Sequence, residues 1–239
     1  MAQVVMTVPS SLPVQAVIFD FDGTLAEIRI DFEDMRAAVL RIIERYDIPQ
    51  CLFAKLYILE MIKAAEKYLR EVSPAASRAF LAEAMREIEE RELSSARNAR
   101  LFTGVKTMLV SLASARIATG IITRNCFAAL HTIFPDYNNY VKALISREMT
   151  DFVKPDPRHL KEILALIGVS PRHTLMVGDH PIDIQIGKDV GTYTAAVLTG
   201  TGKQNALREA EPDFLLPRAV DILEILGIGD SCLTFLPRI

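Results

Sequence analysis

The sequence contains no tryptophan, only three cysteines and little excess charge of either sign. Cys51, Cys126 and Cys232 are far apart, odd in number and form no Cys-x-x-Cys pair. That usage argues against a disulfide framework and against a zinc site. It suits a reducing compartment, so a cytoplasmic location is expected. The formal net charge of −3 gives no electrostatic ground for nucleic acid or an anionic membrane as partner. No stretch approaches the roughly 20 apolar residues a membrane span needs. Met1–Ser10 lacks Lys, Arg and a long apolar run, so no signal peptide is visible.

What is present is a chain of 239 residues, 50% of them hydrophobic, which has room for a core domain and a smaller second one. Residues 14–21 (VQAVIFDF) form a short apolar run ending at Asp-Gly, the pattern of a buried parallel strand feeding a tight turn. Similar runs recur at 116–123, 142–146, 173–177 and 192–198, with a weaker one at 214–216. Helical patterns fall between them, at about 103–114, 125–133, 157–168, 181–190 and 218–226. Strands alternating with helices predict an α/β fold, a doubly wound, Rossmann-like parallel sheet.

Residues 26–100 break the alternation. Phe32, Met35, Val39, Ile42, Ile43 and Tyr46 recur at helical spacing, as do Leu52, Leu56, Leu59, Ile62 and Leu69, and then Phe80, Leu81, Met85, Ile88 and Leu93. Pro49 and Ser73-Pro74 mark the breaks. The stretch is too long for a loop. It predicts an inserted α-helical subdomain, 26–100, within a core domain made of 14–25 and 101–239.

Ligands of open parallel sheets sit outside the carboxyl ends of the strands. The first strand presents Asp20-Phe21-Asp22-Gly23-Thr24-Leu25, the second Thr123-Arg124-Asn125, and the fourth Gly178-Asp179, with Asp183 four residues on; Lys154 and Pro155 follow the third. Asp20 is placed for nucleophilic attack on phosphorus. The turn swings Asp22 toward the same cavity, Gly23 permitting the bend, and Asp22 suits a general acid and base. Asp20, Asp22, Asp179 and Asp183 would repel one another without cations, and Mg²⁺ with Lys154 would supply the balance. Thr123 and the amides after it suit phosphoryl oxygens, and Arg124 and Gly23 join Thr123 as candidate phosphate-binding residues.

These four motifs resemble those of the haloacid dehalogenase superfamily, in the branch with a helical cap after the first motif, and the resemblance covers nearly all of the chain. It implies that Asp20 is nucleophile and metal ligand and that Asp22 is acid/base, with its backbone carbonyl on Mg²⁺. It further implies that Thr123 binds phosphate, Lys154 stabilises charge, Asp179 ligates Mg²⁺ and Asp183 supports the metal shell or Lys154. Asp22 argues for phosphoryl transfer, since members that break carbon–halogen bonds lack a second aspartate there. The layout is similar to phosphoglycolate phosphatases and sugar-phosphate relatives. The expected activity is Mg²⁺-dependent hydrolysis of a small phosphate monoester through an aspartyl-phosphate. A phosphomutase of the beta-phosphoglucomutase type and a non-catalytic binding protein are the alternatives; monomer or homodimer is left open.

Other residues read more plainly. Asn125 stands where a helix N-cap is expected, and His180 lines its loop. His131, His159 and His173 have no partner at ligand spacing. Arg29, Arg36, Lys55 and Arg70 are candidates for a second substrate anion, though most are expected on solvated helix faces. Thr199-Gly200-Thr201-Gly202-Lys203 lacks the first glycine of a Walker loop and has Gln204 after the lysine, so it reads as a turn. The Cys-x5-Arg spacing of Cys232 and Arg238 encloses no glycine and is a chance match.

Overall fold

β1 (Ala16–Phe19) is wholly buried, and its side chains alternate between two apolar layers. Val17 and Phe19 face one cluster with Leu109, Leu112, Ile121, Leu130, Leu175 and Val177. Ala16 and Ile18 face another with Ile122, Leu160, Ile163, Ile167, Met176 and Ile186. A strand apolar on both faces belongs in the middle of a covered parallel sheet. The computed structural model describes residues 13–49, 53 and 56–228, and β1 is central in it.

β1 pairs in parallel with β4 (Ala118–Ile122) on one side and β6 (Thr174–Gly178) on the other. Beyond β4 lies β5 (Ala143–Ile145), and beyond β6 lie β7 (Tyr193–Val197) and β8 (Phe214–Leu216). The order β5-β4-β1-β6-β7-β8 reverses direction at β1 and β6, which places the crevice at the carboxyl ends of those two strands. The Rossmann-like sheet expected from the sequence is therefore the fold observed. α4 (Val105–Ser114), α5 (Phe127–Ile133), α6 (Arg158–Ile167) and α7 (Pro181–Val190) follow in turn.

Some elements depart from the expected bounds. α5 begins at Phe127, not Asn125, because Cys126 is its N-cap and the Asn125 side chain is drawn elsewhere. The 218–226 helix is a 3₁₀ turn, Ala219–Asp221, continued by the short α9 (Ile222–Ile225). The two-residue strands β2 (Ala26–Glu27) and β3 (Arg100–Leu101), paired antiparallel, and α8 (Gln204–Glu209) had no counterpart in the sequence reading.

The chain divides into two compact units, one of residues 1–27 with 100–239, the other of 28–99. The second contains α1 (Phe32–Arg45), α2 (Ile58–Val72) and α3 (Pro74–Ala96). Each starts for a local reason. Asp31 accepts the Asp34 amide at the head of α1 (2.9 Å). Ser73 accepts the Ala76 amide at the head of α3, with Pro74 in the first turn. Of the helical spacing read from Leu52, α2 takes up the part from Ile58, its N-cap Tyr57 being extended; residues 50–52, 54 and 55 lie outside the described residues. So do Lys55, Cys51, Cys232 and Arg238.

Candidate active site

The carboxyl end of β1 is built around one turn. The Phe21 carbonyl accepts the amides of Thr24, Leu25 and Ala26 (3.3, 2.9 and 3.0 Å), which folds the chain back after Asp20. Gly23 sits at φ 81°, a conformation that costs glycine little. A Cβ there would also lie 2.8 Å from Gly200 Cα and 2.9 Å from Asp179 Oδ2. The Gly23 amide donates to the Ala26 carbonyl (2.9 Å). Gly23 thus makes the turn and a close approach to Gly200 and Asp179.

Asp20 is buried, and the Lys154 ammonium donates to its Oδ1 at 2.5 Å. The Thr24 hydroxyl reaches Asp20 Oδ2 (3.2 Å) and Asp179 Oδ1 (3.4 Å). Lys154 also donates to Asp183 Oδ1 at 2.7 Å. Burial pulls the lysine toward its neutral form, but the charges of Asp183 and Asp20 outweigh burial and raise its pKa. It is an ammonium at any working pH.

Asp179 follows β6 and is held from the opposite side by the loop after β7. Its Oδ2 accepts the Thr201 amide (2.8 Å). Burial raises its pKa to about 8, helped by the charges of Asp20 and Asp183. Asp183 is raised too, first by burial, against the pull of Lys154. Asp183 also closes the N-terminus of α7, its Oδ2 accepting the His180 amide (3.1 Å) while His180 Nδ1 accepts the Ile182 amide (3.3 Å). Burial and Lys154 lower the pKa of His180, in keeping with an Nδ1 that acts as acceptor. His180 therefore caps a helix.

Asp20, Asp179 and Asp183 each offer a carboxylate oxygen within 4.8 Å of the others. Three buried carboxylates face one ammonium, and the excess negative charge in a site of oxygen donors suits a hard divalent cation. The Asp22 side chain is outside this cluster. Its Oδ2 accepts the Thr123 hydroxyl and its Oδ1 the Asn125 amide group, both at 3.0 Å.

Of the residues read from the sequence, that arrangement corrects the reading of Asn125 alone. The Thr123 hydroxyl donates to Asp22, and the amides of Asn125 and Cys126 are taken by Thr123 Oγ1 (3.0 Å) and Asn125 Oδ1 (2.8 Å). Asn125, read as a helix cap, holds Asp22. Arg124 donates to the Lys154 carbonyl. In the helical unit, Arg36 donates to the carbonyls of Phe53 (2.7 Å) and Leu56 (2.6 Å). Arg70 is forked onto Glu66 four residues before it, and Arg29 is exposed.

Sequence reasoning missed the Thr199–Gly202 loop. It is a turn, as read, but one packed onto the site. Thr199 Oγ1 donates to the Gly23 carbonyl at 2.6 Å, and a Cβ on Gly200 would sit 1.9 Å from Asp179 Oδ2. Gly200→Ala must therefore displace either the loop or the Asp179 carboxylate. The expected result is a folded protein whose Mg²⁺ affinity by calorimetry falls by at least about tenfold, the scale of losses when support of a metal ligand is disturbed. Unchanged affinity would mean that Asp179 is not held for a cation.

A family model for haloacid dehalogenase-like hydrolases matches residues 17–197, from β1 through β7. The chain belongs to this family.

Among curated members, the chain is similar to the pyrophosphatase PpaX of Anoxybacillus flavithermus, 37% identical over 91 residues, 38% of this chain and 42% of that one. The PpaX of Listeria monocytogenes aligns over 89% of this chain and 96% of its own length at 24% identity. Over the first relatives the match spans 42% to 59% of their length. In structure the chain is similar to a hydrolase from Pseudomonas syringae, with a TM-score of 0.65 and 18% identity over 89% of this chain and 98% of that one. A predicted phosphoglycolate phosphatase from Haemophilus somnus has a TM-score of 0.60 and 18% identity, covering 89% and 98%. A Bacteroides vulgatus protein provisionally named beta-phosphoglucomutase has a TM-score of 0.63 and 20% identity, covering 95% and 93%. At these identities the likeness to the solved structures is one of fold.

Proposed function

We propose that this haloacid dehalogenase-like hydrolase is a Mg²⁺-dependent phosphatase that hydrolyses a small phosphate monoester through an aspartyl-phosphate on Asp20. One observation carries the reading. Two aspartates, two residues apart, are held by different kinds of partner: Asp20 by an ammonium, Asp22 by a neutral hydroxyl and amide. The first holds a carboxylate in place for attack. The second fixes the orientation of the Asp22 side chain, to which the acid and base role is given.

In this scheme an Asp20 oxygen attacks phosphorus, and the bond from phosphorus to the leaving oxygen breaks as Asp22 passes its proton to that oxygen. Asp22 then takes a proton from water, which attacks phosphorus, releases phosphate and restores Asp20. Lys154 holds Asp20 in place and offsets charge on the phosphoryl group. Asp20, Asp179 and the Asp22 backbone carbonyl would hold Mg²⁺, which would neutralise charge on the phosphoryl oxygens when bound. Asp183 positions Lys154, and Thr123 turns from Asp22 to substrate. Residues 28–99 take the part of a cap domain and 14–25 with 101–239 that of the catalytic core.

The relatives named PpaX put inorganic pyrophosphate beside phosphoglycolate and sugar phosphates as a substrate to be tested. The provisional mutase name keeps transfer between sugar phosphates as the second reading. Among the described residues no helix is long and apolar enough to cross a membrane, and the buried Cys126 is in no disulfide. We propose a cytoplasmic enzyme on the cysteine usage.

The test is phosphate release from p-nitrophenyl phosphate with Mg²⁺, after chelation, and after Mg²⁺ is restored. The expected result is turnover that chelation removes and Mg²⁺ returns. Full turnover in excess chelator would overturn the metal-dependent scheme. No release from p-nitrophenyl phosphate, pyrophosphate or phosphoglycolate, with transfer from a sugar bisphosphate, would establish the mutase.

A further inference from the structure

His159 is fully buried in the first turn of α6, against the Lys154 backbone. Its Nδ1 accepts the Lys154 backbone N–H (3.2 Å), and its Nε2 lies 3.3 Å from the Ile145 carbonyl. A carbonyl only accepts and an amide N–H only donates. The ring must therefore carry its proton on Nε2 and leave Nδ1 bare, and the neutral imidazole alone meets both demands. Burial pushes its pKa down to about 3, and the Lys154 charge adds to this. The histidine thus ties the residue that reaches Asp20 to the end of β5.

We infer that His159 is a positioning residue for Lys154: a buried, neutral imidazole that bridges the Ile145 carbonyl to the Lys154 amide and so sets where the ammonium meets Asp20 and Asp183. The other backbone group of Lys154, its carbonyl, accepts from Arg124. The lysine is then gripped at both ends of its peptide, and its side chain need only extend to meet the two carboxylates. A long flexible side chain gains most from an anchored root, because less rotamer freedom is left to lose. The inference rests on the phosphatase reading of Asp20 and Lys154, and its test separates the two.

The variants are His159→Asn, His159→Gln and His159→Phe. Asparagine can place an oxygen where Nδ1 stands and keep the Lys154 bond. Glutamine can place an N–H where Nε2 stands and keep only the Ile145 bond. Phenylalanine keeps neither. With p-nitrophenyl phosphate and Mg²⁺, kcat should fall by at least about tenfold in Gln and Phe with KM little changed, and stay within about threefold of wild type in Asn, since misplacing a reacting group by an ångström is that costly. Exchange of the Lys154 amide hydrogen, read by nuclear magnetic resonance, should quicken in Gln and Phe and not in Asn. If Phe does not fold, the Asn and Gln pair decides. Asn falling as far as Gln, or Gln keeping both wild-type kcat and slow exchange, would overturn the inference. A wild type with no turnover, or an Asp20→Asn variant as active as wild type, would instead defeat the phosphatase reading. The Lys154 exchange comparison needs no turnover, so it still upholds or overturns the bridge.

Discussion

Asp20→Asn is expected to leave a folded protein with below about a tenth of wild-type turnover, because an amide cannot replace a carboxylate as nucleophile. The change is nearly isosteric. The Asn oxygen still accepts from Lys154, and the Thr24 hydroxyl, now facing an amide nitrogen, can turn to accept. Lys154 keeps its second partner, Asp183, at 2.7 Å. The charge of Asp20 is one of the causes that raise Asp179 and Asp183, so its removal eases a buried repulsion in the metal-free protein. The melting temperature is therefore expected within about 4 °C of wild type, roughly a 1–2 kcal/mol effect for a chain of this size. Turnover and melting measured on one preparation decide the matter. A stable variant that keeps more than about a tenth of the activity would place the nucleophile elsewhere.

Asp22→Asn should cost about 10²–10⁴-fold in kcat, the range for a lost general acid and base. The loss should depend on the leaving group. p-Nitrophenolate is stable as an anion and needs little protonation as it departs, whereas an alkoxide needs it fully. The variant should thus lose more on an alkyl phosphate than on p-nitrophenyl phosphate while aspartyl-phosphate formation limits the rate. An equal loss on both substrates would mean that Asp22 organises the turn through Thr123 and Asn125 and does not deliver the proton. The fold should survive, since an Asn at this position still accepts from Thr123, and the Asn125 amide can reorient.

How much of the site was legible follows from where each residue's reason lies. Asp20, Asp179 and the Thr123 region end apolar runs whose composition alone marks them as buried strands, so their placement on one edge of the sheet follows from local pattern and the parallel fold. Asn125 was misread because the cap position and the Asp22 contact are equally open to an Asn at a strand-to-helix turn. The choice is made by a carboxylate 103 residues away. Thr199 and Gly200 were passed over as a turn, yet two glycines flanking Thr201 were a sign of close backbone approach. His159 had a signal as well. It shares a helical stripe with Ile163 and Ile167, and a histidine on a buried stripe must find partners for both ring nitrogens.

The sequence by itself determined the parallel sheet, the helical stretch between its first two long strands, and the family, because hydrophobic period and motif order are local properties that survive without coordinates. Only the tertiary structure decided which carboxylates cluster and which partners hold them. It brought Lys154 onto both Asp20 and Asp183, gave Thr123 and Asn125 to Asp22, and set Gly200 against Asp179. Those choices depend on distances between segments more than a hundred residues apart in places, and on a buried hydrogen bond that must be made by whichever group packing brings within reach.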